Sequence, residues 1–445
     1  MGDIIVSRSN FDDNDLNVNV PSDKSISHRI LLLTSFQNSK AVIKNINMGS
    51  AVQILIPELE KIGVKFNYNH NDTLVVIPPL DWGDLKDITL NLGPSSAAAR
   101  LLIGILTGYD VSIIVDGNTT LRNRPMEWVV EPLKEIGADI TYMNKVGKLP
   151  VLIRKGNMHD GTVNINIGSA QAYSAVIFAA AKNRLNVSIR RQCHSRDHTE
   201  RILEYLGLRI NEDEKKIDVY SSNLEELREY VVPGDPSLAA YPAAFHVLSR
   251  KKSKLTLSNV CINKTRIGFF KILCEIGVNV EYKNVRNAFG EVIGDIIIQR
   301  TDSELKAFII NDDFLFHSMI DEIPLISVIA TMINGRSSIY GADELRFKET
   351  DRIYSTFKML RAFGADVVID DNAIHITGGK KIKPSIVPSF NDHRISMSAA
   401  VLAASLEQAS TIIDGTCYET SFVGFDKCMQ LLGMEIKNEE MNNVI

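Results

Sequence analysis

Four short polar stretches could do chemistry in this chain: Pro21-Ser22-Asp23-Lys24-Ser25-Ile26-Ser27-His28-Arg29, Arg122-Asn123-Arg124-Pro125, Lys348-Glu349-Thr350-Asp351-Arg352 and Asn391-Asp392-His393-Arg394. Each sets cations among hydroxyls and carboxylates beside apolar helical sequence. A charge run that only solvates a helix face is Lys/Glu-rich and four-spaced. These stretches are Arg-rich and tightly clustered. Any one of them fits a solvated turn equally well. Four together favour a phosphate or carboxylate site, because Arg offers a planar donor fork and helix N-termini add aligned N–H groups.

The elements that must position these residues recur along the chain. A helix end, a Gly and a strand appear at Gly63, Gly137, Gly207, Gly277, Gly364 and Gly433, roughly 70 to 90 residues apart and so too far apart for a solenoid. Each reads as a helix capped by a left-handed Gly, followed by an alternating strand. Small apolar helical faces at Ser174–Ala181 and Ser398–Ala404 suit close helix packing. The expectation is an α/β chain of two domains, each with three repeated α/β units around packed helices. The first domain covers 20–235 and the second covers 1–19 with 236–445.

At 445 residues, 45% apolar and 23% charged, the composition is that of a globular protein with more than one core. The net charge of −5 argues against a nucleic-acid surface, so anionic small molecules must be drawn by local cation clusters. No export signal, lipidation pattern or membrane-length apolar run is read. The five cysteines are odd in number and lack CxxC spacing, as expected of reduced thiols in the cytoplasm. Cys193, His194 and His198 lack a nearby fourth ligand, so no metal is expected. Neither GxGxxG after a strand nor GxxxxGK[ST] occurs, which disfavours dinucleotide and ATP chemistry.

With Gly168-Ser169-Ala170-Gln171, Ser195-Arg196-Asp197-His198-Thr199-Glu200, Pro233-Gly234-Asp235-Pro236-Ser237, Asp321-Glu322-Ile323-Pro324 and Thr420-Ser421-Phe422, the four stretches resemble the 5-enolpyruvylshikimate-3-phosphate (EPSP) synthase family from about residue 15 to residue 435. The resemblance implies two halves with a cleft between them, and transfer of the enolpyruvyl group of phosphoenolpyruvate to the 5-hydroxyl of shikimate 3-phosphate. It implies Lys24, Asp321 and Glu349 as catalytic groups. Shikimate 3-phosphate falls to Lys24, Ser25, Arg29, Ser169, Gln171, Arg196, Asp321 and Lys348. Phosphoenolpyruvate falls to Lys24, Arg124, Gln171, Arg352, His393 and Arg394. No cofactor, metal, nucleic acid or membrane is implied, and a monomer is expected. From the residues alone, Asp23 can equally be a helix N-cap and Glu349 can be half of a structural ion pair.

Two departures from the family pattern carry weight, and a third, at Thr420, is milder because a subset of the family resembles this chain there. Ala51 precedes Val52 where an acid is usual, Gly93-Pro94-Ser95-Ser96-Ala97 replaces Gly-Asn-Ala-Gly-Thr, and Thr420 replaces a common Lys. A lost oxyanion-type donor costs about 3 to 4 kcal/mol. The alternatives are therefore compensation by Ser50, Ser95 or Ser96, a paralogue acting on another cyclic acceptor or donor, or a phosphate-ligand sensor. The related transferase of cell-wall synthesis is disfavoured, because Asn118-Thr119-Thr120-Leu121 lacks its loop cysteine.

Overall fold

A computed structural model describes residues 2–9, 13–69, 72–83, 85–249 and 251–438. The chain divides into two compact units. The first is Ser22–Pro233 with Asn287–Glu291; the second is Met1–Pro21, Gly234–Arg286 and Val292–Ile445. Sequence reading put the changeovers near residues 20 and 235 and did not anticipate the short piece 287–291. That piece is the tip joining strands Asn279–Ala288 and Glu291–Gln299.

The described residues form six four-stranded sheets of one pattern. In one of them Leu85–Asn91 runs parallel to Val111–Asp116, which pairs antiparallel with Val151–Arg154, which in turn pairs antiparallel with Asp139–Tyr142. Helices Ser96–Leu106 and Glu127–Glu135 make the connections. Alternation along the inner strand (Val111, Ile113 and Val115 buried) sends one face to the core. The N-terminal strand Ile4–Arg8 completes a sheet of the second unit between Ser410–Ile413 and Met434–Asn438. Leu16–Val18 likewise pairs with Lys254–Cys261.

All six glycines singled out in the sequence have positive φ, from 84° to 106°. At Gly137 the cap is a Schellman turn: Ala138 N–H donates to Leu133 O at 3.1 Å and Gly137 N–H to Lys134 O at 3.0 Å. The same bond pair recurs at Gly63, Gly207, Gly277 and Gly364. Each cap stops a helix and aims the following strand, which is why one local signal generates six similar sheets.

Within each unit the helices between the first two strands pack on one another. In the first unit Ser96–Leu106 and Ala170–Asn183 approach so closely that a Cβ on Gly104 would lie 2.3 Å from Ala175 O. In the second unit every residue of Pro236–Leu248, Ile323–Thr331 and His393–Ala404 is buried. Small residues set this spacing, since a helix can come near another only where side chains are short. The N-terminal ends of these buried helices carry the polar residues of interest.

Two of the cap glycines separate backbone strain from crowding. A Cβ on Gly364 meets nothing within 4 Å, whereas one on Gly137 would lie 2.1 Å from Asn157 O. Gly364→Ala should cost roughly 1–2 kcal/mol for the left-handed backbone alone, and Gly137→Ala clearly more. Urea denaturation of the two variants checks this ordering.

Candidate functional site

In the first unit, helix Lys24–Ser35 begins behind Asp23, whose carboxylate accepts from Ile26 N–H at 2.8 Å. Arg29, one turn on and 3% exposed, donates Nε to Thr199 Oγ1 at 2.7 Å, Nη2 to Ser174 Oγ at 2.7 Å and Nη1 to Ser25 O at 3.0 Å. Thr199 Oγ1 in turn donates to Ser174 Oγ at 2.6 Å. Arg29 thus ties together the first turns of helices Lys24–Ser35, Ala170–Asn183 and His198–Tyr205. Helix Ser96–Leu106 joins them through Arg100, whose Nη1 donates to Gln171 Oε1 at 2.8 Å. Ser96 Oγ accepts from Arg124 Nη1 at 2.8 Å, and Ser169 caps its helix by accepting from Ala172 N–H. Four helix N-termini and their aligned N–H groups therefore converge among Lys24, Arg29, Arg100 and Arg124, an arrangement that favours anions.

The electrostatics of Arg29 agree with that geometry. Its three hydrogen bonds go to neutral oxygens. Burial lowers its guanidinium to about 10, Glu200 and Asp23 oppose the shift, and Arg196 adds to it. Its hydrogen bonds thus go to neutral oxygens, and the acids Glu200, Asp23 and Glu291 act on it only through space. By contrast Arg122, from the same stretch as Arg124, is exposed and spent on an ion pair with Asp116.

The second unit repeats the helix-end construction with the opposite balance. Arg352, 1% exposed, donates Nε to Asp392 at 2.8 Å, Nη1 to Asp321 at 2.8 Å and Nη2 to Glu349 at 2.5 Å. Burial alone would lower this guanidinium, but Asp392, Glu349 and Asp321 outweigh it and raise it well above its ordinary value. Asp392 also accepts from Arg394 N–H at 2.9 Å and Thr350 Oγ1 at 3.1 Å. Arg394 is 3% exposed and donates Nη1 to Ser237 O at 3.3 Å. Burial opposes its charge, while Tyr241, Asp321, Glu322 and Asp235 raise its guanidinium above the ordinary value. Lys348 follows the short 3-10 helix Ala342–Phe347, and His393 opens helix His393–Ala404.

The structure thus gathers Lys24, Ser25, Arg29, Arg124, Ser169 and Gln171 at helix ends of the first unit, with Arg196 in the charge environment of Arg29. It gathers Asp321, Glu349, Arg352 and Arg394 in the second. Asp23 and Glu349 do fill the structural roles open to them, cap and ion-pair partner. Sequence reading missed Ser174 and Thr199, which seat Arg29. It also missed Arg266, 2% exposed, which binds Asp235 at 2.9 Å and Ser237 Oγ at 3.2 Å. Its Thr265-Arg266 pair before the apolar helix Gly268–Glu275 was the available signal. His198 Nδ1 lies 2.6 Å from Glu291 Oε1, with both side chains fully buried.

Two of the departures, at Ala51 and in the Gly93–Ala97 stretch, lie together. Ser95 Oγ donates to Ala51 O at 2.9 Å, and His28 Nε2 lies 2.9 Å from the same oxygen. Pro94 follows Gly93, whose φ is +51°, in a turn closed by Ser95 N–H to Leu92 O at 2.9 Å. Gly and Pro suit such a turn.

Glu200 offers a test of this electrostatic picture. It is 3% exposed, and burial, with Asp197 and Glu212 nearby, pushes its carboxyl up to about 8. The folded state then holds a proton that the unfolded chain releases near the ordinary 4.5. Stability therefore falls as pH rises from about 5 to 8. Glu200→Gln should flatten that fall, with the gain over wild type growing toward pH 8 in urea titrations at several pH values.

Comparison with known proteins comes to the same place from another direction. Residues 13–429 match the family model described as EPSP synthase (3-phosphoshikimate 1-carboxyvinyltransferase). The chain is similar to the 3-phosphoshikimate 1-carboxyvinyltransferase of Caldicellulosiruptor saccharolyticus, 36% identical over 414 residues, 92% of this chain and 94% of that one. It is similar to the protein of that name from a Sulfurihydrogenibium species, 36% identical over 411 residues, 91% and 94% of the two chains. Among solved structures it resembles an EPSP synthase from Acinetobacter baumannii, with a TM-score of 0.85, 26% identity and 98% and 100% of the two chains covered. The enolpyruvyl transferase NikO from Streptomyces tendae shares the fold, with a TM-score of 0.78 at 13% identity over 99% of each chain.

Proposed function

Because the chain belongs to the EPSP synthase family, we propose that it is a transferase that moves the enolpyruvyl group of phosphoenolpyruvate to the 5-hydroxyl of shikimate 3-phosphate and releases inorganic phosphate. The observation that carries this reading is the buried Arg29, held only by neutral oxygens where helix N-termini converge. Such a centre is stabilised by an anion that replaces the water lost on burial.

In this reading the first unit supplies Lys24, Ser25, Arg29, Ser169, Gln171 and Arg196 to the acceptor. Arg124, Arg394 and His393, with Lys24 and Gln171, take phosphoenolpyruvate. Asp321 takes the proton of the 5-hydroxyl as its oxygen bonds to the central carbon of phosphoenolpyruvate. Glu349 delivers a proton to the methylene carbon, giving a tetrahedral intermediate. The C–O bond to phosphate then breaks, Glu349 recovers the methyl proton to restore the double bond, and Lys24 gives a proton to the departing phosphate. Arg352 holds both acids at 2.8 and 2.5 Å. For Arg352 to grip phosphoenolpyruvate as well, a substrate oxygen has to replace one of its carboxylates. Lys348 reaches the acceptor from its place beside Glu349. The protein works as a cytoplasmic monomer on small anionic substrates. Among the described residues no helix is long and apolar enough to cross a membrane.

Ala51 supports a second reading, a paralogue for another acceptor, because its side chain brings no charge to a position where the family usually has an acid. Phosphate release separates the two. Release that needs both phosphoenolpyruvate and shikimate 3-phosphate supports synthase chemistry; tight binding without turnover overturns it. Under synthase chemistry Ala51→Asp with Pro94→Asn leaves the rate unchanged or lowers it, whereas in a redirected scaffold the double change raises a weak rate.

Lys24→Met and Glu349→Gln should each cut turnover by about a hundredfold or more while leaving the melting temperature nearly unchanged, since neither side chain is a core residue. Steady-state phosphate release and thermal denaturation on the same samples check both halves of the expectation.

A further inference from the structure

His28 sits one turn into the helix that begins with Lys24, and its environment poses a hydrogen-bonding conflict. Its Nδ1 lies 2.7 Å from Lys24 O, and its Nε2 lies 2.9 Å from Ala51 O and 3.3 Å from Ser95 Oγ. Carbonyl oxygens only accept, and a neutral imidazole has one N–H. In either neutral tautomer one ring nitrogen therefore points a lone pair at a carbonyl. Only the imidazolium donates to both. Ser95 then keeps its own hydrogen for Ala51 O at 2.9 Å, and every polar group in the cluster is satisfied.

What keeps the proton away is charge and burial. Burial is the largest cause and pushes the ring down to about 4, with Lys24 and Arg29 repelling the proton from the same helix. The other elements packed on the ring present a carbonyl at Ala51, from helix Ser50–Gln53, and a hydroxyl at Ser95, the cap of helix Ser96–Leu106. The leading charges acting on His28 are thus the two cations assigned to the acceptor. An anion seated on them replaces that repulsion with attraction, which joins the two carbonyls in opposing the burial that holds the proton off.

We propose that His28 is a positioning residue that takes up a proton when the anionic acceptor binds, and that as an imidazolium it ties the Lys24 carbonyl to the Ala51 carbonyl. The tie fixes the start of the Lys24 helix against the segment that lacks an acidic side chain. By reciprocity, uptake of a proton on binding means that binding tightens as pH falls, by at most about tenfold per pH unit for one proton. The inference rests on the acceptor reading above.

The test uses the full chain and shikimate 3-phosphate. Calorimetric titration at pH 6, in two buffers of different ionisation heat, counts protons taken up by wild type and by His28→Asn. The variant reports the titration of the ligand's own phosphate. Wild type should take up more, by up to about one proton, and its affinity should rise more steeply than the variant's from pH 8 to pH 6. Equal uptake and equal pH slopes overturn the proposal. Ring nitrogen NMR of the wild type covers the case in which the variant fails to fold: one of the nine histidines should become doubly protonated on ligand addition, and no such change overturns the proposal. Absence of any shikimate 3-phosphate binding overturns the acceptor reading instead, and the same NMR experiment with inorganic phosphate then decides the His28 claim by itself.

Discussion

Removing a polyanion from water requires fixed positive charge to replace its hydration, and the first unit is organised around that requirement. Its cations gather near helix starts, Arg29 and Arg100 buried and Lys24 half-buried, where unpaired N–H groups and the helix dipole already favour negative charge. Arg29 makes the point most clearly, because all three of its hydrogen bonds end on hydroxyls and a carbonyl. Neutral partners orient the guanidinium and leave its N–H groups without a directly paired carboxylate, with Glu200, Asp23 and Glu291 acting on it only through space. The close packing of helices Ser96–Leu106 and Ala170–Asn183 at Gly104 belongs to the same design. Helix ends can converge only if the helices themselves come near.

The second unit uses the same helix-end frame for a different purpose. Arg352 carries three carboxylates, those of Asp321, Glu349 and Asp392, on one guanidinium. A buried guanidinium with all its nitrogens engaged acts as a fixed template for two acids that must exchange protons. Only Asp392 is as buried as Arg352, so it is loss of that pair that would leave buried charge unpaired, at a cost of about 3–5 kcal/mol, whereas Glu349 is more than a third exposed. One fold unit, repeated, thus yields an electropositive set in one half of the chain and an acid-bearing set in the other.

Much of this was legible in the sequence, and the rest was not for identifiable reasons. The Gly caps are local signals, since a left-handed residue after a helix needs Gly whatever surrounds it, and all six glycines have positive φ. The Lys24, Glu349 and Arg394 stretches were legible because cations beside hydroxyls just before an apolar helix are unusual. Ser174 and Thr199 were missed because a hydroxyl inside a helix acquires its role only when three helices meet. Arg266 was missed because its partner Asp235 lies 31 residues away, and Asp392 reaches Arg352 across 40. The opposite charge balance of the two units was invisible in the motifs, which look alike in both; it depends on which neighbours the fold brings within reach.

The neutral seating of Arg29 is the central claim, and binding of shikimate 3-phosphate to Arg29→Gln tests it most directly. Gln keeps a polar side chain for Thr199 and Ser174 but removes the charge, so affinity measured by calorimetry at pH 7 should fall by about ten- to a hundredfold, the value of a charge-assisted hydrogen bond, with the fold intact by circular dichroism. Binding as tight as wild type in a folded Arg29→Gln protein would contradict the account.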